Sequence, residues 1–275
     1  MADAAADAFF IGSGAERRFA VLTSPRAQEP RAALLFVHPF AEELNKSRRM
    51  TALAARTLAE RGCAILQIDL QGCGDSSGDF GDATWEGWVN DVAMAHAWLR
   101  QETGLEVGLW SLRAGALLAA ASLSRIATVS GLLFWQPVLS GTQFLRQFLR
   151  LKVAGNVLAG GSSAGGTRDL LDALAKGETV EVAGYALPPA LALPLEQANL
   201  DLAAGAACGR IVWLEVSPAE PASMSPAAMS RIDAWRGAGF EVEARAVVGP
   251  QFWQSQEIED CPALVEATAQ LYGND

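Results

Sequence analysis

One short segment of the chain resembles the strand-turn-helix elbow that presents a serine nucleophile in acyl-transfer enzymes. It spans residues 107–115, VGLWSLRAG, and leads into a run of small, helix-forming residues. The tip of such an elbow is strained, so the residues two before it and two after it must be small. Leu109 and Arg113 stand at those offsets from Ser111 and exclude it from the tip. Arg113 has Ser111 and Gly115 at the same offsets, so we predict an arginine where the nucleophile usually lies.

The other two members of a Ser-His-Asp triad are also hard to find. The base should follow the elbow, but both histidines, His38 and His96, precede it. His96 lies at helical spacing with apolar residues, which predicts a packed helix residue. The loop at residues 249–254, where a base is expected, holds no group that titrates near neutral pH, and the acid position offers only Ser217 and Glu220. We therefore expect no conventional triad.

Arg113 has two interpretations at the tip of the elbow. The N-terminus of the following helix favours an anion, and an added guanidinium makes a carboxylate or phosphate site, shared with His38 or Arg48. In the other interpretation, Arg113 pairs with Glu42 or Glu43 and closes the pocket. The sequence leaves both open.

The remaining candidate residues follow predicted strands. Residues 38–50, after the first central strand, are dense in charge and border the expected ligand crevice, where active enzymes place an oxyanion hole. A solvated surface is the alternative. The predicted ligand-binding residues are Arg113, His38, Phe40, Glu42, Glu43, Arg48 and Gln136. Ser111, His38 and Cys73, the last of these in a glycine-rich turn at residues 69–78, are candidates for a non-standard catalytic group.

The elements that must position these residues alternate between apolar strands and segments of helical period, which predicts an α/β fold with a mostly parallel central sheet flanked by helices. The predicted strands are residues 32–37, 63–68, 106–110, 131–135, 210–216 and 241–248, after an opening hairpin at 8–11 and 18–22. The predicted helices are residues 46–60, 85–101, 114–126, 226–237 and 261–271.

Composition limits the function classes. The 275 residues carry 21 basic and 31 acidic side chains, a net charge of −10, which argues against a nucleic-acid partner. No secretory signal or transmembrane segment is recognisable, so we expect a cytoplasmic protein. The four cysteines form no CxxC pair, so we expect free thiols, no metal site and no cofactor.

Six segments together resemble the type 2 hydrolase associated with the exosortase A system, a branch of the α/β-hydrolase superfamily. They read VHPFAEELNKSRRM, DLQGCGDSSGDF, LWSLRAGALLA, FWQPVLSGTQFLRQFLRLK, VAGYALPPAL and GPQFWQSQEI. The resemblance extends over roughly residues 8 to 260. Ser111 stands where a glycine is usual in that branch. The resemblance implies an α/β-hydrolase fold and a bacterial locus for exopolysaccharide and PEP-CTERM protein sorting, with a protein of that system as partner.

Residues 140–199 break the alternation of strands and helices. They show no clear strand, and residues 160–166 are flexible by composition. α/β-Hydrolases carry a cap at this point, so we predict one domain, residues 1–275, with a cap or lid at about 140–199. Residues 144–152 form an amphipathic basic helix, which is either an ordinary cap helix or a docking surface.

These observations predict an α/β-hydrolase-fold protein with a degenerate triad and a pocket for a small anionic or acyl-bearing ligand. An active hydrolase or acyltransferase with a non-standard nucleophile is one alternative. A non-catalytic scaffold of the exopolysaccharide or sorting system is the other.

Overall fold

The computed structural model describes residues 4–26, 28–158, 166–203, 206 and 208–273. Its strands are β1 (Ala4–Ile11), β2 (Arg18–Pro25), β3 (Ala32–Val37), β4 (Cys63–Ile68), β5 (Val107–Leu112), β6 (Val129–Trp135), β7 (Val180–Val182), β8 (Tyr185–Leu187), β9 (Cys208–Ser217) and β10 (Val242–Val248). Its helices are α1 (Glu42–Glu60), α2 (Trp85–Thr103), α3 (Gly115–Ser122), α4 (Gly141–Leu158), α5 (Thr167–Ala175), α6 (Pro189–Gln197), α7 (Pro226–Gly237) and α8 (Pro262–Gln270).

Eight strands form one central sheet in the order β1-β2-β4-β3-β5-β6-β9-β10. The β1-β2 and β2-β4 pairs are antiparallel, and every later neighbour is parallel. The mostly parallel α/β sheet predicted from the sequence is therefore confirmed. Because the parallel strands all point the same way, the residues that follow β3, β4, β5, β6 and β9 meet along one edge.

Helices cover both faces of this sheet, and each face has its own apolar core. Alternate residues of β5 show the division, because successive side chains of a strand point to opposite faces. Leu109 packs in the larger core with residues of α2, α3 and α7. Trp110 packs in the other core with residues of α1 and α8. The whole of β5 is buried, which explains why Ser111 is its only polar side chain.

The segment between β6 and β9 contains α4, α5, β7, β8 and α6, none of which joins the central sheet. The expectation of no strand here was wrong, because β7 and β8 form an antiparallel hairpin. The turn between them has Ala183 and Gly184 at φ of 49° and 86°, which are the two positive angles that a tight hairpin turn needs. Strands of three residues are too short to show alternation in a sequence. Of the glycine-rich residues 160–166, those up to 165 lie outside the described residues.

Helix α1 begins four residues earlier than predicted, at Glu42 rather than Lys46. The start of α1 lies in the charge-dense stretch, and its two glutamates occupy the first turn, where the helix dipole favours negative charge. The N-terminal residue of the turn, Ala41, makes no side-chain cap, so the usual sequence signal for a helix start is missing. By contrast, α7 has the predicted bounds, and its N-cap Ser225 accepts a hydrogen bond from the Ala228 N–H.

Candidate functional site

Arg113 occupies the tip of the turn between β5 and α3, with a φ of 55°. Its backbone N–H donates to the Trp135 carbonyl at 3.1 Å, and its own carbonyl accepts from the Val138 N–H at 3.1 Å. These bonds from both sides hold a conformation that costs a non-glycine residue free energy. A Cβ at Gly115 would lie 2.4 Å from the Val37 carbonyl oxygen, so the position two after the tip requires glycine.

Two more strained residues flank this elbow. Ala41, after β3, has a φ of 50°, and Gln136, directly after β6, has a φ of 43°. The Gln136 side chain accepts a hydrogen bond from the Val216 N–H at 2.7 Å, and so fastens the end of β6 to the end of β9. Three neighbouring strand ends thus carry residues in the left-handed region, a concentration typical of functional sites.

The Arg113 guanidinium is paired with Glu43, at 3.2 Å between Nε and Oε1. Both side chains are largely buried, with 13% and 12% of their surfaces exposed. Nη1 of Arg113 lies 3.5 Å from the Gln136 carbonyl oxygen, and the guanidinium carbon is 5.5 Å from the centre of the Trp253 ring. Of the two internal partners that the sequence left open, the structure selects Glu43.

The Glu43 carboxylate is only partly satisfied. Its Oε2 is buried and has no hydrogen-bond partner among the described residues. Burial raises the pKa of Glu43, and the neighbouring Arg113 charge opposes that rise. An unpaired buried oxygen costs free energy, which protonation of the carboxyl would reduce.

A cavity of about 250 Å³, here called the elbow cavity, lies beside this pair. Its lining residues are Phe40, Glu42 and Glu43 after β3, Arg113 at the elbow, Phe144, Gln147, Phe148 and Leu151 on α4, and Trp253 and Gln254 after β10. Phe40 joins the two sides of the site, because its ring makes edge-to-face contacts with Phe144 at 5.6 Å and Phe148 at 5.1 Å. The site therefore combines a guanidinium, two carboxyl groups and four aromatic rings.

Comparison with known proteins gives a family. The family model described as serine aminopeptidase, S33 matches residues 28–174, just over half of the chain. The chain belongs to the serine aminopeptidase S33 family. A 104-residue stretch is 33% identical to an uncharacterized protein of Rickettsia prowazekii (strain Madrid E), covering 34% of this chain. That match spans 42% of the relative's length, so it concerns less than half of that protein.

Solved structures establish the fold of this S33 family member. Est1E from Butyrivibrio proteoclasticus, in a structure with ferulic acid bound, matches with a TM-score of 0.64, covering 93% of this chain and 94% of Est1E at 14% identity. An alpha-beta serine hydrolase homologue from Coxiella burnetii matches with a TM-score of 0.55, covering 96% of each chain at 14% identity. The chain has the α/β-hydrolase fold. At such identities the likeness concerns the fold alone.

The loop that carries the histidine base in active α/β-hydrolases holds aromatic residues in this S33 family member. Phe252 and Trp253 follow β10, are buried, and contact each other edge to face at 5.0 Å. His96 lies far from this loop, on α2, where its Nε2 is 3.3 Å from the carbonyl oxygen of Val107, the first residue of β5. The length of β5 places that contact roughly 20 Å from Arg113. Burial lowers the pKa of His96 and favours its neutral form.

Neither residue that the sequence offers for the acid after β9 is placed to act as one. Glu220 is exposed, and the Ser217 hydroxyl donates to the carbonyl of Ala219, two residues along the chain. The buried carboxylate of this region is Glu215, inside β9, which accepts hydrogen bonds from the Ser225 N–H and hydroxyl at 2.7 and 3.0 Å. Glu215 was missed because it lies within an apolar run. Its two bonds hold the start of α7.

The candidates for a non-standard nucleophile are both buried. Ser111 is fully buried in β5, and its hydroxyl has no hydrogen-bond partner among the described residues. Burial, with the Asp69 charge, raises the pKa of the Cys73 thiol to about 12, so it is protonated near neutral pH. Neither residue lines the elbow cavity.

His38 and Arg48 lie at a second cavity of about 190 Å³, here called the α1 cavity, between α1, β2 and β4. The Arg48 guanidinium donates to both oxygens of Asp69 at 3.0 and 3.2 Å. The His38 ring lies 2.7 Å from the Pro39 carbonyl oxygen through Nδ1, and its Nε2 accepts from the Leu70 N–H at 3.3 Å. Burial lowers the pKa of His38, in keeping with a neutral ring that uses both nitrogens. The structure thus brings Phe40, Glu42 and Glu43 to Arg113, but leaves His38 and Arg48 elsewhere.

Within the described ranges, no cluster of three or more His, Cys, Asp or Glu side chains could hold a metal ion. No helix in those ranges is long and apolar enough to cross a membrane.

Proposed function

We propose that this protein binds a small anionic or acyl-bearing ligand in the elbow cavity, with Arg113 holding an oxygen of the ligand, and that it does so without serine-type turnover. The observation that carries the proposal is the position of Arg113. It stands at the tip of the elbow, where the catalytic serine of an active α/β-hydrolase meets its substrate, and it lines a cavity.

The hydrogen bonds of Arg113 leave it a donor for a ligand. Nε is bonded to Glu43 and Nη1 reaches the Gln136 carbonyl, but Nη2 makes no hydrogen bond within the described part of the chain. A guanidinium carries five N–H donors in a fixed plane, so pairing through Nε leaves the far edge available for a carboxylate or carbonyl oxygen. Arg113 is held in place by Glu43 and still able to bind.

The charge of the site allows an anion to bind when Glu43 is protonated. Arg113 and an ionised Glu43 nearly cancel, which suits an uncharged acyl oxygen. The raised pKa of Glu43 makes its neutral form more accessible than that of an exposed glutamate, and the guanidinium then has no ionised pair partner, with Glu42 left as the other acidic residue of the lining. We therefore infer that anions bind together with a proton on Glu43.

Three features of the site together support the absence of turnover. Arg113 is not a nucleophile, Trp253 lies in the loop after β10 where a base is expected, and the Glu215 carboxylate is already hydrogen-bonded to Ser225. A serine hydrolase needs a nucleophile within hydrogen-bond reach of a base that is in turn oriented by an acid. The geometry supports a binding protein that retains the fold of a hydrolase.

The proposal is tested by calorimetric titration of hexanoate and inorganic phosphate into wild type, Arg113→Ala and Arg113→Lys. We expect hexanoate to bind wild type and to lose about tenfold or more in affinity in Arg113→Ala, since a charge-assisted hydrogen bond is removed. Arg125→Ala is the matched control, because Arg125 is an exposed arginine paired with Asn90 and Glu86. Equal affinity in wild type and Arg113→Ala contradicts the anchor.

Turnover is tested separately with a fluorophosphonate probe and an iodoacetamide probe. We expect neither to label an active-site residue in the native protein, because Ser111 and Cys73 are buried. Labelling that is lost in Ser111→Ala or Cys73→Ala would overturn the proposal in favour of an active hydrolase or acyltransferase.

We also propose that the chain is a member of the exosortase-associated branch and works with a protein of an exopolysaccharide or PEP-CTERM sorting system. The six matching segments support the branch. Helix α4 supports a docking role for a cap formed by residues 140–199, since it has three basic residues, no acidic one, and exposed Arg146 and Arg150 that form no ion pair in the described ranges. Co-purification of a system component with wild type, but not with Arg146→Glu/Arg150→Glu, is expected.

A further inference from the structure

The walls of the elbow cavity have an unusual composition. Four of its ten lining residues are aromatic, whereas aromatic residues make up 8% of the chain. Three of them, Phe40, Phe144 and Phe148, come from two elements that meet only in the folded protein. The fourth, Trp253, lies under the Arg113 guanidinium. An apolar pocket needs no aromatic rings to hold an alkyl chain, so this enrichment calls for a more specific explanation.

The contacts between these rings indicate which kind of ligand group packs best against them. Phe40 meets Phe144 and Phe148 with interplanar angles of 84° and 85°, so the rings present edges and faces at right angles. A ring enters such a set through further edge-to-face or offset contacts, which stabilise aromatic pairs beyond the burial of apolar area. A saturated ring of the same size gains the burial alone.

Size and charge limit the ligand further. A volume of about 250 Å³ lies just below the usual range for drug-sized ligands, which favours a single ring with a short side chain. Arg113, at one wall, supplies a planar donor for a carboxylate or an ester carbonyl. The exposed Leu151, on the same helix as Phe144 and Phe148, lines the cavity as well.

We infer that the ligand of the elbow cavity is an aryl-bearing carboxylate or its ester, with the ring among Phe40, Phe144 and Phe148 and the acyl oxygen on Arg113. This inference rests on the proposed function and narrows it from acyl-bearing ligands in general to aromatic ones. Phe148 is the specificity-determining residue that the geometry favours, since it lines the cavity and its ring lies closer to Phe40, at 5.1 Å, than that of Phe144, at 5.6 Å.

The test compares 3-phenylpropanoate with 3-cyclohexylpropanoate, which have the same carbon connectivity and charge but differ in the aromaticity and planarity of the ring, so a preference counts as aromatic only where it depends on Phe148. Calorimetric titration into wild type should give about fivefold tighter binding of the phenyl compound, the effect of one favourable aromatic pair. Phe148→Leu keeps an apolar side chain and should bring that ratio close to one. Phe10→Leu, at an exposed ring on β1, is the control and should keep the wild-type ratio.

The outcomes separate this inference from the proposed function. Equal affinity for the two propanoates in wild type overturns the aromatic ligand, and hexanoate binding that depends on Arg113 would still support the proposed function. Failure of all three acids to bind overturns both. Phe144→Leu serves as the second variant if Phe148→Leu does not fold, and a ratio unchanged by removal of either ring also overturns the assignment.

Discussion

Two arginine-carboxylate pairs lie at the carboxyl edge of the sheet, and they differ in how completely the carboxylate is satisfied. Asp69, after β4, accepts hydrogen bonds from the Arg48 guanidinium and from the Asp75 N–H at 3.1 Å. In the described ranges, the Glu43 carboxylate accepts a hydrogen bond from Arg113 alone, and its second oxygen is buried without a partner. The Arg48 side chain is 44% exposed, whereas that of Arg113 is 13% exposed.

This difference indicates which pair stabilises the structure and which is suited to bind a ligand. In the Arg48–Asp69 pair both carboxylate oxygens are hydrogen-bonded and the guanidinium is exposed enough for water to satisfy it, so this pair, which fastens a glycine-rich turn, has little to gain from a ligand. The Arg113–Glu43 pair combines an unused donor with an unmet acceptor at a strained backbone, and such a cost is usually retained only where it serves a function. The elbow cavity is for this reason the stronger candidate of the two.

The largest expected contrast is in stability after loss of each arginine. Arg113→Ala leaves Glu43 buried and unpaired, and should lower the free energy of unfolding by about 3 kcal/mol. Arg48→Ala should cost about 1 kcal/mol or less, because the exposed guanidinium is well solvated and Asp69 keeps the Asp75 N–H. Urea denaturation at pH 7 measures both. Equal losses would mean that burial does not distinguish the two pairs.

A substitution in the glycine-rich turn held by the Arg48–Asp69 pair should have an intermediate effect on stability. Gly74 has a φ of 52°, and a Cβ there would overlap the Asp69 carboxylate. Gly74→Ala should therefore lower the free energy of unfolding by about 2 kcal/mol, from backbone strain and displacement of Asp69. Hexanoate affinity, measured on the folded fraction, should stay at the wild-type value. A parallel loss of binding would show that the two cavities are coupled.

The smallest effect is the pH dependence of binding at the elbow cavity. Burial raises the pKa of Glu43, so its proton is lost at a higher pH than that of an exposed glutamate. Protonation of Glu43 removes the ionised pair partner of Arg113, so an anion should bind more tightly as the pH falls through that pKa. In a titration from pH 8 down to pH 5.5, we expect hexanoate affinity to rise roughly threefold as Glu43 is protonated, a fraction of one pKa unit of interaction.

The variant Glu43→Gln removes the titrating group and is the comparison for that experiment. Its affinity should not depend on pH over the same range, and it should resemble the low-pH affinity of wild type. Wild-type affinity that is constant, or that rises with pH, would refute coupling between the ligand and the Glu43 proton.

Local steric rules account for what could be predicted about the elbow. The requirement for small residues at both offsets placed Arg113 at the tip from nine residues of sequence. The structure shows why the rule holds, because a Cβ at Gly115 would collide with two backbone carbonyl oxygens. Apolar runs separated by turns likewise predicted the parallel sheet. The three-residue strands of the β7-β8 hairpin escaped because they contain less than two full alternations of side chains.

Partner choice could not be predicted in the same way. Glu42 and Glu43 are adjacent, and neighbouring residues on a helix point about 100° apart. Only the rotation of α1 against β5 decides that Glu43 meets Arg113, and it also turns Arg48 towards Asp69. The α4 phenylalanines and Trp253 reach the cavity across more than 30 and 130 positions of sequence from Arg113, respectively, so no local pattern marks them.

The sequence by itself determined the order of the central strands and the helices that flank them, the arginine at the elbow and the lack of a histidine after it, because each depends on residue type and short-range geometry. The tertiary structure alone decided that Arg113 pairs with Glu43, that His38 and Arg48 belong to another cavity, and that aromatic rings wall the first one. Those contacts depend on how distant elements pack, and packing is set by the shape of the whole core rather than by any one segment.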